Sequence, residues 1–372
     1  MYRLIYILPI AAAGVTYLTV GVERYWPLYL ALLIIAELLV YWVMYRALRV
    51  KEYLSGYAIV AYHHEAWIER VVHHVSYTDS RGNLKTKTEV DYIRHPDEWF
   101  IVLNTSRRID ISEEQYDYIV NLWDEEEEWI KVSHRNCVSG GGGQRILYDD
   151  NYDHLVTATY EGLYVNYVRG SNSIFRYDDI SKREAKRLGL VKYPSVSSSR
   201  LDGDAILVSP ELIGLEVCHS DQQHIQRINA YYGAEAEIHI FVLLFDAADG
   251  IGIALKQRQF WHGGNKNELV VCLGIDSVDA RKIEWCKTFS WCDVPLLDNA
   301  TESYFFEHRT LDFEAYAAWL RENIQLWRRK EFKDFKYIGK RLSSLRLAMV
   351  SFVAVLISAI MVLLLVFVVS RC

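Results

Sequence analysis

The sequence predicts an α+β region carried by three transmembrane α-helices, with a β-rich first half and a mixed sheet plus helices in the second half. Three observations support this prediction. Apolar residues crowd into both ends of the 372-residue chain, Val, Ile, Tyr and Trp dominate much of 52–180, and strand and helix patterns alternate in 205–327. A composition of 51% hydrophobic residues with only 6 Pro excludes a disordered chain and a small disulfide scaffold.

Both chain ends have the length and composition of membrane helices. Residues 347–369 contain no charged side chain, and a helix of this length spans a hydrocarbon core of about 30 Å. Two further apolar runs, 4–20 and 26–45, are separated by a short polar stretch. We therefore predict a transmembrane hairpin at 1–46 and a transmembrane helix at 347–369. Removal of the first helix as a signal peptide stays open.

Basic residues next to these helices predict the orientation of the chain. Arg46, Arg49 and Lys51 follow the second helix, and the basic juxtamembrane segment 328–346 precedes the third. Because Lys and Arg favour the cytoplasmic side, we expect 52–340 to face the cytoplasm from a bacterial inner membrane. Eight cations of 328–346 are expected to contact anionic lipids of the inner leaflet: Arg328, Arg329, Lys330, Lys333, Lys336, Lys340, Arg341 and Arg346.

Glu37 lies midway along the second apolar run, where an ionised carboxylate is costly. A buried Glu of this kind either packs against a neighbouring helix through a hydrogen bond or belongs to a proton or ion pathway. We expect the packing role, and we keep the pathway as an alternative.

The β-rich part, 52–180, is expected to begin with a long hairpin formed by 56–78 and 84–104. Ser112 and Gln115 have the spacing of a capping box, which predicts a short helix ending near Trp123. Two strands are expected at 155–159 and 163–168. The glycine tract 140–143 lacks the Lys-Ser/Thr ending of a phosphate-binding loop, so we expect a flexible loop there.

The second half is expected to start after a linker at 181–204, where a charged stretch gives way to a Pro and Ser-rich one. Ser220 and Gln223 predict the start of a helix that Gly233 ends. The remaining elements of the α+β part, 205–327, are strands at 237–245, 268–275 and 282–291 and an amphipathic helix at 312–327.

Metal and cofactor sites are not predicted. The six cysteines form no Cys-x-x-Cys pair, which is typical of a reducing compartment without a zinc site. His63-His64 and His73-His74 would stand about 33 Å apart on one strand, too far to share an ion. A net charge of −7 gives no general reason to expect nucleic-acid binding.

The densest group of polar residues is 261–268, which reads Trp-His-Gly-Gly-Asn-Lys-Asn-Glu. His262 offers a base, Lys266 a cation and Glu268 a carboxylate, and Asp246 and Asp249 could converge on the same rim. Together these five residues could perform acid/base or hydrolytic chemistry. A structural turn built on two glycines explains the same residues, and such turns are far commoner than active sites.

Several segments carry a resemblance. The run 261–276 contains Trp-His-Gly-Gly-Asn-Lys-Asn-Glu, Phe-Ser-Trp follows at 289–291, Arg-Arg-Lys-Glu-Phe lies at 328–332, and His-Pro-Asp-Glu-Trp lies at 95–99. With these segments the chain resembles a family of uncharacterised bacterial and phage-borne proteins with a Trp-x-Gly-Gly-Asn-Lys-Asn-Glu motif. The resemblance covers most of 52–340 and implies no activity.

Three functional hypotheses follow. The first is a non-enzymatic bacterial inner-membrane protein that presents a cytoplasmic α+β domain for protein interaction, homo-oligomeric assembly or sensing. The second is a membrane-tethered hydrolase with its site at 261–268. The third is an oligomeric channel or membrane-disrupting effector that uses Glu37.

Overall fold

A computed structural model of the chain describes residues 2–20, 26–78, 84–165, 180–194, 200–201, 203–212, 214–276, 278–279, 281–291, 295–329 and 344–370. The fold is mixed α+β. The helices are α1 Tyr2–Val20, α2 Trp26–Ala47, α3 Glu113–Leu122, α4 Lys182–Arg187, α5 His219–Ala236, α6 Gly252–Phe260, α7 Pro295–Glu307, α8 Phe313–Asn323 and α9 Ser344–Ser370. The strands are β1 Arg49–His64, β2 Trp67–Thr78, β3 Leu84–His95, β4 Glu98–Leu103, β5 Arg108–Ile111, β6 Glu128–Lys131, β7 Cys137–Ser139, β8 Gly142–Leu147, β9 Thr157–Val165, β10 Arg200–Leu201, β11 Ile206–Val208, β12 His239–Asp246, β13 Glu268–Ile275 and β14 Ile283–Ser290.

The terminal helices pack against each other. Within the described residues, two helices are long and apolar enough to cross a membrane, at 30–47 in α2 and 347–367 in α9. The apolar part of α1, 5–18, is shorter. The three helices share two buried clusters, one of Ile5, Val40, Met44, Leu48, Val350 and Ala354 and one of Ala13, Ala36, Met361 and Leu365.

Strand β1 is the longest strand and organises the first half. Its first part pairs with β9 from Arg49↔Val165 to Tyr57↔Thr157, and its second part pairs with β4 on one side and β8 on the other. In place of the two strands expected at 155–159 and 163–168, residues 157–165 form the single strand β9, and 166–168 lie outside the described residues. Helix α3 covers this sheet with Ile119 and the C-terminal Trp123, and the predicted capping box between Ser112 and Gln115 is confirmed.

The expected long hairpin is confirmed as antiparallel pairing, but it divides between two sheets. β1 and β4 belong to the main sheet, whereas β2 and β3 pair separately from Trp67↔His95 to Thr78↔Leu84. Pro96 lies at the break, where it has no backbone N–H to donate to a ladder. The Trp67 ring stacks between His95 and His134, with centroid distances of 4.1 and 4.0 Å, and this stack fixes the base of the second pair.

The glycine tract is more ordered than the expected flexible loop. Gly142 and Gly143 are the first, buried residues of β8, and a Cβ on Gly143 would lie 2.5 Å from the His63 carbonyl oxygen. The tract therefore allows two backbones to approach closely.

The second half is a three-layer α/β/α unit. Its sheet has the order β11-β12-β13-β14, in which β14 alone is antiparallel to its neighbour, and the strands predicted at 237–245, 268–275 and 282–291 are confirmed. Alternate residues of β12 face opposite layers: Ile240, Val242 and Leu244 contact the layer of α5, α7 and α8, whereas Phe241, Leu243 and Phe245 contact the layer of α6. The predicted amphipathic helix is α8, which a short 3-10 turn extends to Leu326.

Two boundaries in this half differ from the predictions. In the expected linker 181–204, residues 182–187 form α4, and Ala185, Leu190 and Val191 are buried against the sheet. This part of the segment is therefore part of the core, whereas 195–199 lie outside the described residues. Helix α5 begins after Cys218 rather than at Ser220 and continues past Gly233, whose missing side chain allows the helix to lie close to the carbonyl oxygen of Ile238.

Candidate functional site

The five predicted catalytic residues do not come together. In the parallel pair β12 and β13, His239 lies opposite Glu268 and Asp246 lies opposite Ile275. Glu268 and Asp246 are therefore at opposite ends of the sheet, seven residues or about 23 Å apart along the strands. Asp249 follows Asp246 in a short 3-10 turn, so the expected shared rim is wrong.

The turn at 261–268 is held by backbone geometry that glycine favours. Gly263 and Gly264 have φ angles of 82° and 83°, and the exposed His262 before them has φ 51°. A Cβ on Gly264 would lie 2.8 Å from Glu268 Oε2. The two glycines therefore let the turn fold back onto the Glu268 carboxylate.

Glu268 is fully buried and serves this turn. One carboxylate oxygen accepts the Asn265 backbone N–H at 2.6 Å. The other accepts the Asn265 side-chain amide at 2.9 Å and the Tyr193 hydroxyl. Burial raises the pKa of Glu268, although these hydrogen bonds oppose the rise. Both oxygens of the Glu268 carboxylate accept hydrogen bonds, and neither contacts solvent. These contacts are typical of a structural carboxylate.

The same end of the sheet is joined to β1 by polar contacts. The Asn267 side-chain amide donates to the Tyr53 carbonyl oxygen at 2.6 Å. His239 Nδ1 lies 3.2 Å from Ser55 Oγ, which lies 3.1 Å from Thr159 Oγ1 on β9. These side chains are all buried, so the two halves of the protein meet through hydrogen bonds as well as apolar contacts.

Charged residues complete this junction. Arg329 Nη2 lies 3.0 Å from Glu52 Oε2, with side-chain exposures of only 9% and 7%, and Arg329 Nη1 lies 3.2 Å from Glu237 Oε2. Burial raises the pKa of Glu52, and the nearby positive charges of Arg329 and Lys266 oppose the rise. We call Glu52, Glu237, Lys266, Glu268 and Arg329 the junction cluster.

The predicted lipid-contacting residues lie in different surroundings. Arg329 is buried in the junction cluster, so its expected role as a lipid contact is wrong, whereas Arg328 is exposed. Glu37 is half-buried, and its Oε1 is buried with no hydrogen-bond partner among the described residues. Five predicted cations, Lys330, Lys333, Lys336, Lys340 and Arg341, lie outside the described residues, as does the side chain of Arg346.

A groove of about 580 Å³ lies apart from the junction cluster and is lined by residues of β14 and α7, among them Trp285 and Phe306. Of the three carboxylates that line it, Glu302 accepts hydrogen bonds from Lys287 at 2.8 Å and from Thr288. These bonds lower the pKa of Glu302 despite the opposing effect of its partial burial. In the part of the chain that the structure describes, no three His, Cys, Asp or Glu side chains are placed to hold a metal ion.

Sequence reasoning missed Glu52, Glu237 and Tyr193. Glu52 lies in a strand pattern where alternate polar residues are ordinary, and its partner Arg329 is 277 residues away. No local spacing signals such a pair. Comparisons of this chain with protein-family models, curated proteins and solved structures find no match.

We predict that Glu268→Gln destabilises the protein. A Gln side chain has one acceptor oxygen where the carboxylate has two, so at least one of its three donors loses its partner. The expected loss is about 1–3 kcal/mol in the free energy of unfolding, measured by urea denaturation in detergent. Glu216→Gln, at an exposed position, is the matched control. An unchanged stability in Glu268→Gln would contradict the structural role.

We also predict that His239 makes stability depend on pH. Burial lowers the pKa of His239 from 6.5 to about 3. Between these values the unfolded chain binds a proton that the folded chain does not, so the free energy of unfolding falls as the pH drops below 6.5. At pH 4.5 this loss is about 2–3 kcal/mol relative to pH 7. His239→Gln should lose correspondingly less over the same range, and equal losses in the two proteins would refute the assignment.

Proposed function

We propose that the protein is a bacterial inner-membrane protein whose three helices hold a cytoplasmic α+β region at the inner leaflet, where it binds a protein partner, assembles with further copies or senses a signal. The Arg329–Glu52 ion pair is the observation that supports this proposal most. It joins the segment that follows α2 to the segment that leads towards α9, so the α+β region is held at both ends.

The connection between α2 and the sheet is short, which restricts the movement of one relative to the other. Only Leu48 separates Ala47, the end of α2, from Arg49, the start of β1. Leu48 is buried, and its backbone N–H donates to the Met44 carbonyl oxygen at 3.1 Å. A displacement of α2 in the bilayer is therefore expected to move β1, which suits a sensing or scaffolding role.

Side chains at the end of α2 fit a membrane surface. The Arg46 guanidinium lies over the Trp42 ring at 4.7 Å, and the Arg49 guanidinium lies over the Tyr45 ring at 5.2 Å. Aromatic residues favour the bilayer interface, and Arg favours its cytoplasmic side. These contacts support a cytoplasmic location for β1 and for the region that follows it.

A third span is supported by packing. The apolar part of α1, 5–18, is 14 residues or about 21 Å of helix, shorter than the hydrocarbon core of about 30 Å. Its residues Ile5 and Ala13 nevertheless share buried clusters with residues of α2 and α9. An apolar helix packed along two membrane helices is most simply accommodated in the same bilayer.

The buried charges favour a mechanical role over a hydrolytic one. Glu268 is fully buried and Lys266 is 7% exposed, so of the turn's three proposed catalytic side chains only that of His262 faces solvent. Charges that are buried in pairs constrain the relative position of the segments that carry them, because separating them leaves an uncompensated charge.

Photo-crosslinking in intact cells tests the proposal. A photoreactive phenylalanine analogue replaces Tyr118, Trp129 or Phe306, which are 55%, 67% and 72% exposed. We expect the protein to stay in the inner membrane after carbonate extraction, its α+β region to resist protease in spheroplasts, and at least one of these positions to give a discrete adduct with a second copy or with one other protein.

The same analogue at Tyr316, which is fully buried, is the matched control and should give no adduct. Extraction of the protein by carbonate, digestion of the α+β region in spheroplasts, or the absence of an adduct at all three exposed positions would each contradict the proposal.

A further inference from the structure

The outer edge of β3 is unpaired within the described part of the chain, because the sheet that contains it has the order β3-β2-β7. β2 and β3 pair over 12 residues each, or about 40 Å, and β7 pairs with β2 at Ile68 and Glu69, at the base of the ribbon. Residues 72–78 are all exposed, and so are 84–94 apart from Val90. A two-stranded ribbon whose faces are both exposed to solvent is only marginally stable alone. The unpaired backbone groups of its edge strand can accept another strand.

Charged residues on β3 follow a symmetric pattern. Lys85, Lys87, Glu89 and Asp91 share one face, because alternate residues of a strand point to the same side. The two cations and the two anions lie on opposite sides of Thr88. The pattern is therefore complementary to a second copy of itself that runs in the opposite direction.

Antiparallel pairing of two copies about Thr88 matches all four of these charges. Lys85 then lies opposite the partner's Asp91, and Lys87 lies opposite the partner's Glu89, and symmetry repeats both pairs. On the other face, Leu84 lies opposite the partner's Tyr92. Leu84 is 77% exposed and Tyr92 is 65% exposed. Opposite charges and apolar pairs directly across a ladder stabilise a sheet.

Neighbouring registers do not give this match. A two-fold axis perpendicular to the sheet keeps side chains on their own face, so any residue of the strand can lie at the axis. An axis at Lys87 or at Glu89 places that residue opposite its own copy, with equal charge. An axis at Thr86 pairs Lys85 with the partner's Lys87, and an axis at Val90 pairs Glu89 with the partner's Asp91. The register at Thr88 avoids all of these like-charge pairs.

The existing contacts of Lys87, Glu89 and Asp91 leave these three side chains able to exchange partners. Lys87 Nζ lies 3.3 Å from Glu89 Oε1 on the same strand, and His73 Nε2 lies 3.4 Å from Asp91 Oδ2. The side chains of Lys87, Glu89 and Asp91 are 65%, 49% and 68% exposed. Exposed ion pairs of this kind are weak, so pairing across a new ladder does not have to overcome a strong interaction.

We propose that two copies of this chain join through their β3 edges into a two-fold symmetric, four-stranded sheet with the order β2-β3-β3-β2. This inference deepens the assembly part of the proposed function by naming the partner, a second copy, and the surface.

Charge reversal in the full-length protein tests the interface. Lys85→Glu with Lys87→Glu makes all four of these positions acidic, and Glu89→Lys with Asp91→Lys makes all four basic. We expect the wild-type protein to form dimers in detergent and each double variant to dimerise at least tenfold more weakly, as measured by mass photometry over a concentration series. The quadruple variant should recover the dimer, and a mixture of the two double variants should form heterodimers.

A wild-type protein that stays monomeric at every concentration would overturn the proposal. So would a dimer that charge reversal leaves intact, since such a dimer would be held by other surfaces, including the helices. The circular dichroism spectra of all variants should match that of the wild-type protein, because the four substituted side chains are exposed.

Cysteine crosslinking tests the register. Thr88→Cys should give a dimer that reductant reverses, because the two substituted residues face each other. Thr86→Cys is the matched control on the same face, where the two cysteines would lie four residues or about 13 Å apart along the ladder. Equal crosslinking at both positions would contradict the register. The photo-crosslinking positions lie outside β2 and β3, so failure of this interface and failure of the proposed function are separate results.

Discussion

The ion pair between Arg329 and Glu52 is the interaction on which the arrangement of this protein depends. Its members are 277 residues apart in sequence and almost closed off from solvent. Glu52 lies just after the apolar helix α2, and Arg329 lies at the end of the α+β region, on the side of the chain that leads to α9. One buried contact therefore joins the two ends of the α+β region, between the apolar helices α2 and α9.

β1 carries this constraint into the rest of the fold. The strand starts one residue after α2, pairs with three other strands and contacts the second half through Tyr53 and Ser55. The polar turn at 261–268 belongs to the same junction, since Asn267 binds the backbone of Tyr53 and Glu268 holds the turn in place. The polar motif at 261–268 thus helps to join the two sheets. Its polar side chains supply hydrogen-bond partners to backbone groups that are buried at this junction.

Sequence reasoning succeeded where the signal was local. Strands β12 and β13 follow from unbroken apolar runs, and α3 follows from the capping box of Ser112 and Gln115, because each pattern is complete within one segment. It failed where a distant partner decides the outcome. The charged stretch 181–187 and the Pro and Ser-rich run that starts at Pro194 predict a linker, but the Gln257 side chain on α6 pairs with both backbone groups of Val191 between them and holds that segment in the core. Asp246 ends β12 and Glu268 begins β13. Because these two strands run parallel, the two residues lie at opposite ends of the sheet.

A double-mutant cycle on Glu52 and Arg329 measures the central contact most directly. The single variants Glu52→Gln and Arg329→Gln, the double variant and the wild-type protein are unfolded in urea, with tryptophan fluorescence as the signal. Arg329→Gln leaves Glu52 buried without its ion-pair partner, so we expect a loss of about 3–5 kcal/mol, whereas Glu52→Gln leaves Arg329 paired with the exposed Glu237 and should cost less. The double variant should lose at least about 2 kcal/mol less than the sum of the two. Losses that add within about 0.5 kcal/mol would show that the two residues act independently, and would contradict a junction that depends on their ion pair.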